Sequence, residues 1–366
     1  MTLSIAALAA EKLDRKTKPQ GALGELEILA IRLSDIQQTL EPRASKKRIV
    51  IFAADHGVAA EGVSAFPAEV TAQMVQNFLS GGAAISVLSR HGGIELHIAD
   101  VGVDTVFDEH VKSAPTFFSR SARRGTRNFL VEPAMTAAEC EAAMNAGREQ
   151  VRLAVANGID LLGIGEMGIG NTTAASALLA ALTNFSPQDL AGRGTGVDDA
   201  GLRRKITVIE QALKRHHSHA PSADLKSLSA RYWLESVGGY EIAAMTGAIL
   251  ETSVCRLPIV IDGFIATAAA AVAFQIDAAA KEVCFFAHLS EEQAHGKVLS
   301  FLNVRPVLNL GMRLGEGTGA ALAMPVIEAA AKIMCEMSSF DSAGVSERTE
   351  RTDMAATPSG TEPTQP

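Results

Sequence analysis

Four short apolar segments recur between helical stretches, each rich in β-branched residues and each closing on glycine or aspartate. They are KKRIVIFAAD (46–55), IELHIADVG (94–102), IDLLGIG (159–165) and LPIVIDGF (257–264). The intervening PAEVTAQMVQNFLSGGAAISVLSRHG spaces its apolar residues at helical intervals and stops on glycine. Apolar strands separated by helices predict an α/β fold with a mainly parallel sheet covered on both faces. Ligands of such sheets lie beyond the carboxyl ends of the strands. Asp55-His56-Gly57, Gly165-Glu166 and Asp262-Gly263 are therefore expected to point into one crevice.

The ends read differently. Residues 1–40 look wholly helical, as does TGAALAMPVIEAAAKIMCEM (318–337), and the two could pack as a small helical lobe joining both termini. From Ser338 the composition turns to Ser, Thr, Glu, Pro and Gly, which predicts a disordered tail over 338–366. With 366 residues the chain can bury a large core. Its net charge of −8, without a basic stripe, argues against nucleic acid as a partner. The four cysteines lie far apart with no C-x-x-C pair, as in a reduced, cytoplasmic protein without a zinc signature. FIATAAAAVAFQI (264–276) is too short for a membrane span, and the first apolar stretch lacks the basic residues of a signal peptide.

Three glycine-rich loops carry acids or cations. In GIGEMGIGNTTAASALL (163–179) the first six residues match the dinucleotide fingerprint G-x-G-x-x-G. That fingerprint needs an acid at a strand end roughly twenty residues on. Asp189 instead falls in a turn, so an NAD-dependent oxidoreductase is disfavoured. What remains is a glycine loop feeding a helix that opens with Asn171-Thr172-Thr173, a ready anion site. Glu166 would be repelled by a phosphate, and makes sense facing a sugar hydroxyl or a developing positive charge. Its plain alternative is a helix cap. In AGRGTGVDDAGLRRK (191–205), Lys205 with Arg203 or Arg204 could close over a phosphate, the alternative being a solvated helix face. In MRLGEGTGAALAMP (312–325), Glu316 stands between glycines beside an apolar wall of Met312, Leu314 and alanines. A carboxyl there is expected to have a raised pKa and to take up a proton, unless it too is a cap. His216, His217 and His219 read as a solvent-exposed linker rather than a metal site.

Together with KPQGALGELE, AADHGVAAEGVSAFP, VGGYEIAAMTGAIL and LPIVIDGFIATAAA, these loops closely resemble the nicotinate-nucleotide–dimethylbenzimidazole phosphoribosyltransferase family, in order and spacing from about Lys18 to Met337. The resemblance implies a Rossmann-like sheet, a homodimer, and a step in assembling the lower ligand of cobalamin. In that step the 5-phosphoribosyl group of nicotinate mononucleotide passes to 5,6-dimethylbenzimidazole. It further implies that Glu316 is the catalytic glutamate and Glu166 the second acid. Gly168, Asn171, Thr172, Lys205, Asp262 and Ser290 would hold phosphate and ribose. Met74, Gln73, Met167 and Leu314 would meet the benzimidazole, although members that place a glutamine there align it with Met74. No cofactor and no metal are implied. The organisation expected is 1–40 as the first part of the small lobe and 41–310 as the large nucleotide-binding domain. Residues 311–337 would be the catalytic loop and the rest of the lobe, and 338–366 the tail. A non-catalytic sensor of a nucleotide or azole is the competing class, opposed by the presence of an acid in each of two loops.

Overall fold

The computed structural model describes residues 3–194, 196–220 and 229–346. Seven strands form one sheet: β1 (Lys47–Ala54), β2 (Ile94–Gly102), β3 (Phe117–Ser119), β4 (Leu161–Met167), β5 (Ile259–Ile261), β6 (Cys284–His288) and β7 (Pro306–Leu308). Their order is β3-β2-β1-β4-β5-β6-β7 and every pairing is parallel. All four expected strands are present. The three others are the three-residue β3 and β7 and the five-residue β6, the outer two too short to carry a periodic signal.

All eight residues of β1 and all seven of β4 are buried, in keeping with their apolar stretches Ile49–Ala54 and Leu161–Gly165; the charged Lys47 and Arg48 are paired with Glu328 and Glu95. The helix Tyr240–Cys255 packs on β1, β2 and β4 with the helices Ala137–Ala156 and Phe264–Ile276 beside it. The helix Thr318–Glu336 lies on β1 and β4–β7, flanked by Glu25–Gln37 and Ala84–Gly92. By length and composition Thr318–Glu336 could cross a membrane, but its apolar side chains, Ile327 and Met334 among them, are buried against this sheet and these helices.

The amino terminus is not wholly helical. Helices Ile5–Asp14 and Glu25–Gln37 are separated by a ten-residue connection containing Pro19, Gly21 and Gly24, the two glycines in left-handed backbone. Both helices pack on each other and on Thr318–Glu336, and all three share one continuous core with the sheet. Residues 338–346, expected to belong to a disordered tail, are ordered. Ser339 caps a one-turn helix, Phe340–Ala343, the Phe340 N–H donates to Arg15 O at 3.1 Å, and Arg15 pairs with Asp341 at 2.7 Å. Residues 347–366 lie outside the described residues. His216 and His217 do not sit in a linker either. They belong to the long helix Asp199–Ser218, His216 bonding Phe129 O at 2.8 Å and His217 meeting Trp233 edge to face.

Candidate active site

The strand order reverses between β1 and β4, whose flanking connections leave toward opposite faces. A crevice at the carboxyl ends of the strands there is the usual place for a ligand. A cavity of about 480 Å³ opens beside it. Glu166 and Met167 at the end of β4, Gly168 in the following turn, and Asn171 and Thr172 in the first turn of the helix form one wall. The loop Arg313–Glu316 forms the adjoining wall, and Gly263 to Ile265 and Ser290 also line it. Phe66, Val70 and Met74 add an apolar flank from the segment after β1.

Close approach explains the glycines. A methyl group on Gly165 would fall inside the contact distance of the Gly317 backbone, and one on Gly315 would collide with the Glu166 carboxylate. The 315–317 loop can therefore lie directly on β4, which brings Glu316 and Glu166 into the same cavity. Glu316 itself has φ +63°, a left-handed conformation costly for a residue with a Cβ. Neither glutamate is a helix cap: Gly170 and Gly317 occupy those positions, with no side-chain cap bond.

The electrostatics separate the acids. Burial pushes the Glu316 carboxyl up to about 7, with Asp262 adding to it. Burial also holds Glu166 well above the carboxylate range, reinforced by Asp262, Glu241 and Glu316 and only partly opposed by the Asn171 amide that donates to it. Asp262 is pushed to about 6 by burial, against the pull of backbone donors. Its oxygens accept the N–H groups of Gly317 and Ala320, each at 2.9 Å. Those two backbone bonds favour the ionised form of Asp262, whereas Glu166 has the single Asn171 amide to oppose its burial.

Several expected contacts fall elsewhere. Asp262 does not line the cavity, because both its oxygens are used in capping the helix Thr318–Glu336. Gln73 is exposed and points away from the cavity that Met74 lines, since neighbours on a helix differ by about 100° in direction. Lys205 is buried beneath the wall, its ammonium donating to Thr172 Oγ1 at 2.8 Å and Gly192 O at 3.1 Å. Burial lowers it to about 8, with Glu292 working in the opposite direction. Asp55 and His56 lie under the floor rather than in the cavity. Glu166, Glu316, Gly168, Asn171, Thr172, Ser290, Met74, Met167 and Leu314 do line it. Phe264 and Ile265, which directly follow Asp262-Gly263, were recoverable from that strand end. Phe66 and Arg313 carried no signal beyond their place in loops. Among the described residues no group of three or more His, Cys, Asp or Glu side chains could hold a metal.

A family model described as a phosphoribosyltransferase matches residues 2–345. The chain is 49% identical over 343 residues to the nicotinate-nucleotide–dimethylbenzimidazole phosphoribosyltransferase of Chloroflexus aurantiacus J-10-fl, covering 94% of this chain and 95% of that one. It is 49% identical over 334 residues to the enzyme of that name from Cupriavidus necator, covering 91% and 93%. The crystal structure of CobT from Thermus thermophilus superposes with a TM-score of 0.88 at 44% identity, over 94% of this chain and 99% of that one. The chain belongs to the nicotinate-nucleotide–dimethylbenzimidazole phosphoribosyltransferase family.

Proposed function

We propose that the protein transfers the 5-phosphoribosyl group of nicotinate mononucleotide to 5,6-dimethylbenzimidazole, giving α-ribazole 5′-phosphate and nicotinate. The observation that carries this reading is a carboxyl poised near neutrality, Glu316, which shares a largely apolar cavity with a second buried carboxyl, Glu166. The C1′–N bond of the pyridinium breaks with its electron pair returning to nitrogen, so nicotinate leaves with a neutral ring and needs no general acid. One azole nitrogen bonds C1′ from the opposite face, inverting the anomeric centre. The proton on the other nitrogen then passes to the Glu316 carboxylate, a contribution of roughly 10²–10⁴-fold. Glu166 stabilises positive charge on the ribosyl ring as a carboxylate, the form that the bound cation favours by lowering its pKa, its proton passing to solvent as the donor binds. The phosphate lies at the start of the helix Asn171–Leu182, an anion-favouring end, with Thr172 and the Lys205 beneath it. Met74, Val70, Phe66 and Leu314 offer the azole a flat apolar surface. The reaction calls for no metal and no cofactor, because no pyrophosphate needs neutralising. We place the protein in the cytoplasm as a homodimer that makes the lower-ligand precursor of cobalamin. Mixing both substrates should release nicotinate in step with α-ribazole 5′-phosphate. Binding of both without release would mark a sensor instead.

A further inference from the structure

The carboxyl end of β1 carries a buried pair that the reaction above does not use. His56 stands two residues beyond the end of the strand, and its Nε2 lies 2.7 Å from Glu241 Oε1 in the first turn of the helix Tyr240–Cys255. Both side chains are wholly shielded from solvent. Gly239 makes room for them, since a methyl group there would collide with the imidazole and the carboxylate together. A buried ionisable pair of this kind is costly to assemble and is weak evidence of stability by itself. Its location says more.

His56 lies directly beneath the turn Gly168–Gly170. A Cβ on Gly168 would come within 3.4 Å of His56 Nε2, and one on Gly170 within 3.2 Å of His56 Cβ. From the other side, the Ile169 N–H donates to Thr71 Oγ1 at 3.1 Å. The turn that opens the phosphate-binding helix is thus clamped between Thr71 and the imidazole. Glu241, which fixes the imidazole, also lies close enough to Glu166 to raise its pKa.

We propose that His56 and Glu241 are a positioning pair, which holds the Gly168–Gly170 turn in the shape that receives the phosphate of nicotinate mononucleotide and keeps negative charge behind Glu166. This rests on the substrate reading given above. The groups facing Glu166 are Asp262 from the end of β5, Glu316 from the adjoining loop, Glu241 and the Asn171 amide. His56 is faced by Glu241 and by Asp55, whose Oδ2 is occupied by the Asp104 N–H at 2.8 Å. The pair reaches the reaction only through the turn and through Glu166, never by touching substrate.

The test compares His56→Gln, Glu241→Gln and the double variant with the wild-type enzyme, using nicotinate mononucleotide and nicotinate riboside as donors. Each single variant should raise KM for the phosphorylated donor by about tenfold or more while leaving that for the riboside nearly unchanged. The two effects should not add in the double variant, because either change already releases the turn. Glu241→Gln should also shift the pH profile of donor KM toward acid, since one of the carboxylates that raise Glu166 is gone. Equal KM changes for both donors, additive effects, or a lowered Tm with KM and pH profile intact would overturn the proposal. If Glu241→Gln does not fold, His56→Gln decides alone on the donor comparison. A wild-type enzyme that releases no nicotinate would instead overturn the substrate reading, independently of the variants.

Discussion

Glu316 combines a strained backbone with a carboxyl held near 7, and both have measurable consequences. As a base it works only when ionised, so kcat should rise with pH through about 7 and fall away in acid. Glu316→Gln keeps the shape and removes the base. It should lower kcat by at least about a hundredfold with both substrates still binding, as read by single-turnover and equilibrium binding measurements. Stability should move the other way. The folded-state pKa lies above the unfolded value, so the folded protein loses stability as pH climbs from the ordinary carboxylate range to about 7. Melting curves should therefore show Glu316→Gln more stable than wild type at about pH 8 and no different at about pH 4. A buried cation invites a parallel test. Lys205→Met retains the stem and removes the ammonium, so it should weaken nicotinate mononucleotide by ~1.5–3 kcal/mol and the riboside far less. Equal losses would make Lys205 a purely structural support for Thr172.

Between β4 and the helix Thr318–Glu336 the deciding feature is contact between backbones. Gly165 lies against Gly317, and Asp262 holds the N–H groups of Gly317 and Ala320. Two elements far apart in sequence are thereby set in one register, and the two glutamates face the same space as a result. Gly165→Ala forces them apart. It should cost about 1–3 kcal/mol in denaturant unfolding, and its loss of kcat should exceed its loss of donor binding, because the proposed phosphate end lies beyond β4, at the start of the helix Asn171–Leu182. Unchanged kcat would show that the glutamates tolerate a wider separation. The sequence displayed the strand, the glycines and both acids here. It could not display that Asp262 faces the helix start instead of the ligand, since a strand-end carboxylate reads the same in either role.

Taken whole, the chain closes on itself through its ends. Lys16 donates to Met337 O, Thr17 N–H to Ser338 O at 3.0 Å, and Arg15 pairs with Asp341. Removing everything from Ala329 onward, with buried Ala330, Ala331 and Met334, should abolish both folding and activity. Cutting after Val345 should change neither, as read by Tm and turnover. The sequence beyond has five threonines and three prolines among few large apolar side chains, a composition that predicts little burial to set against the entropy of ordering. Activity lost from the shorter cut would mean that this segment reaches the cavity or a second subunit.

Local pattern alone was enough for the parallel α/β fold, for the four long or flanked strands, and for the glutamates and glycines of the two facing loops. Those features depend on hydrophobic period and on backbone freedom, which are written residue by residue. Tertiary structure decided which groups share a cavity and which are buried behind it. Gln73 turns outward, Lys205 lies under Thr172, Asp262 caps a helix, and His56 meets Glu241 across 185 positions of sequence. Proton affinities belong partly to the same class. The raised Glu316 carboxyl was expected from its glycines and apolar neighbours, but Asp262's part in it, and the burial of Glu166 beside Asp262, Glu241 and Glu316, come from residues far apart in sequence that only the fold brings together.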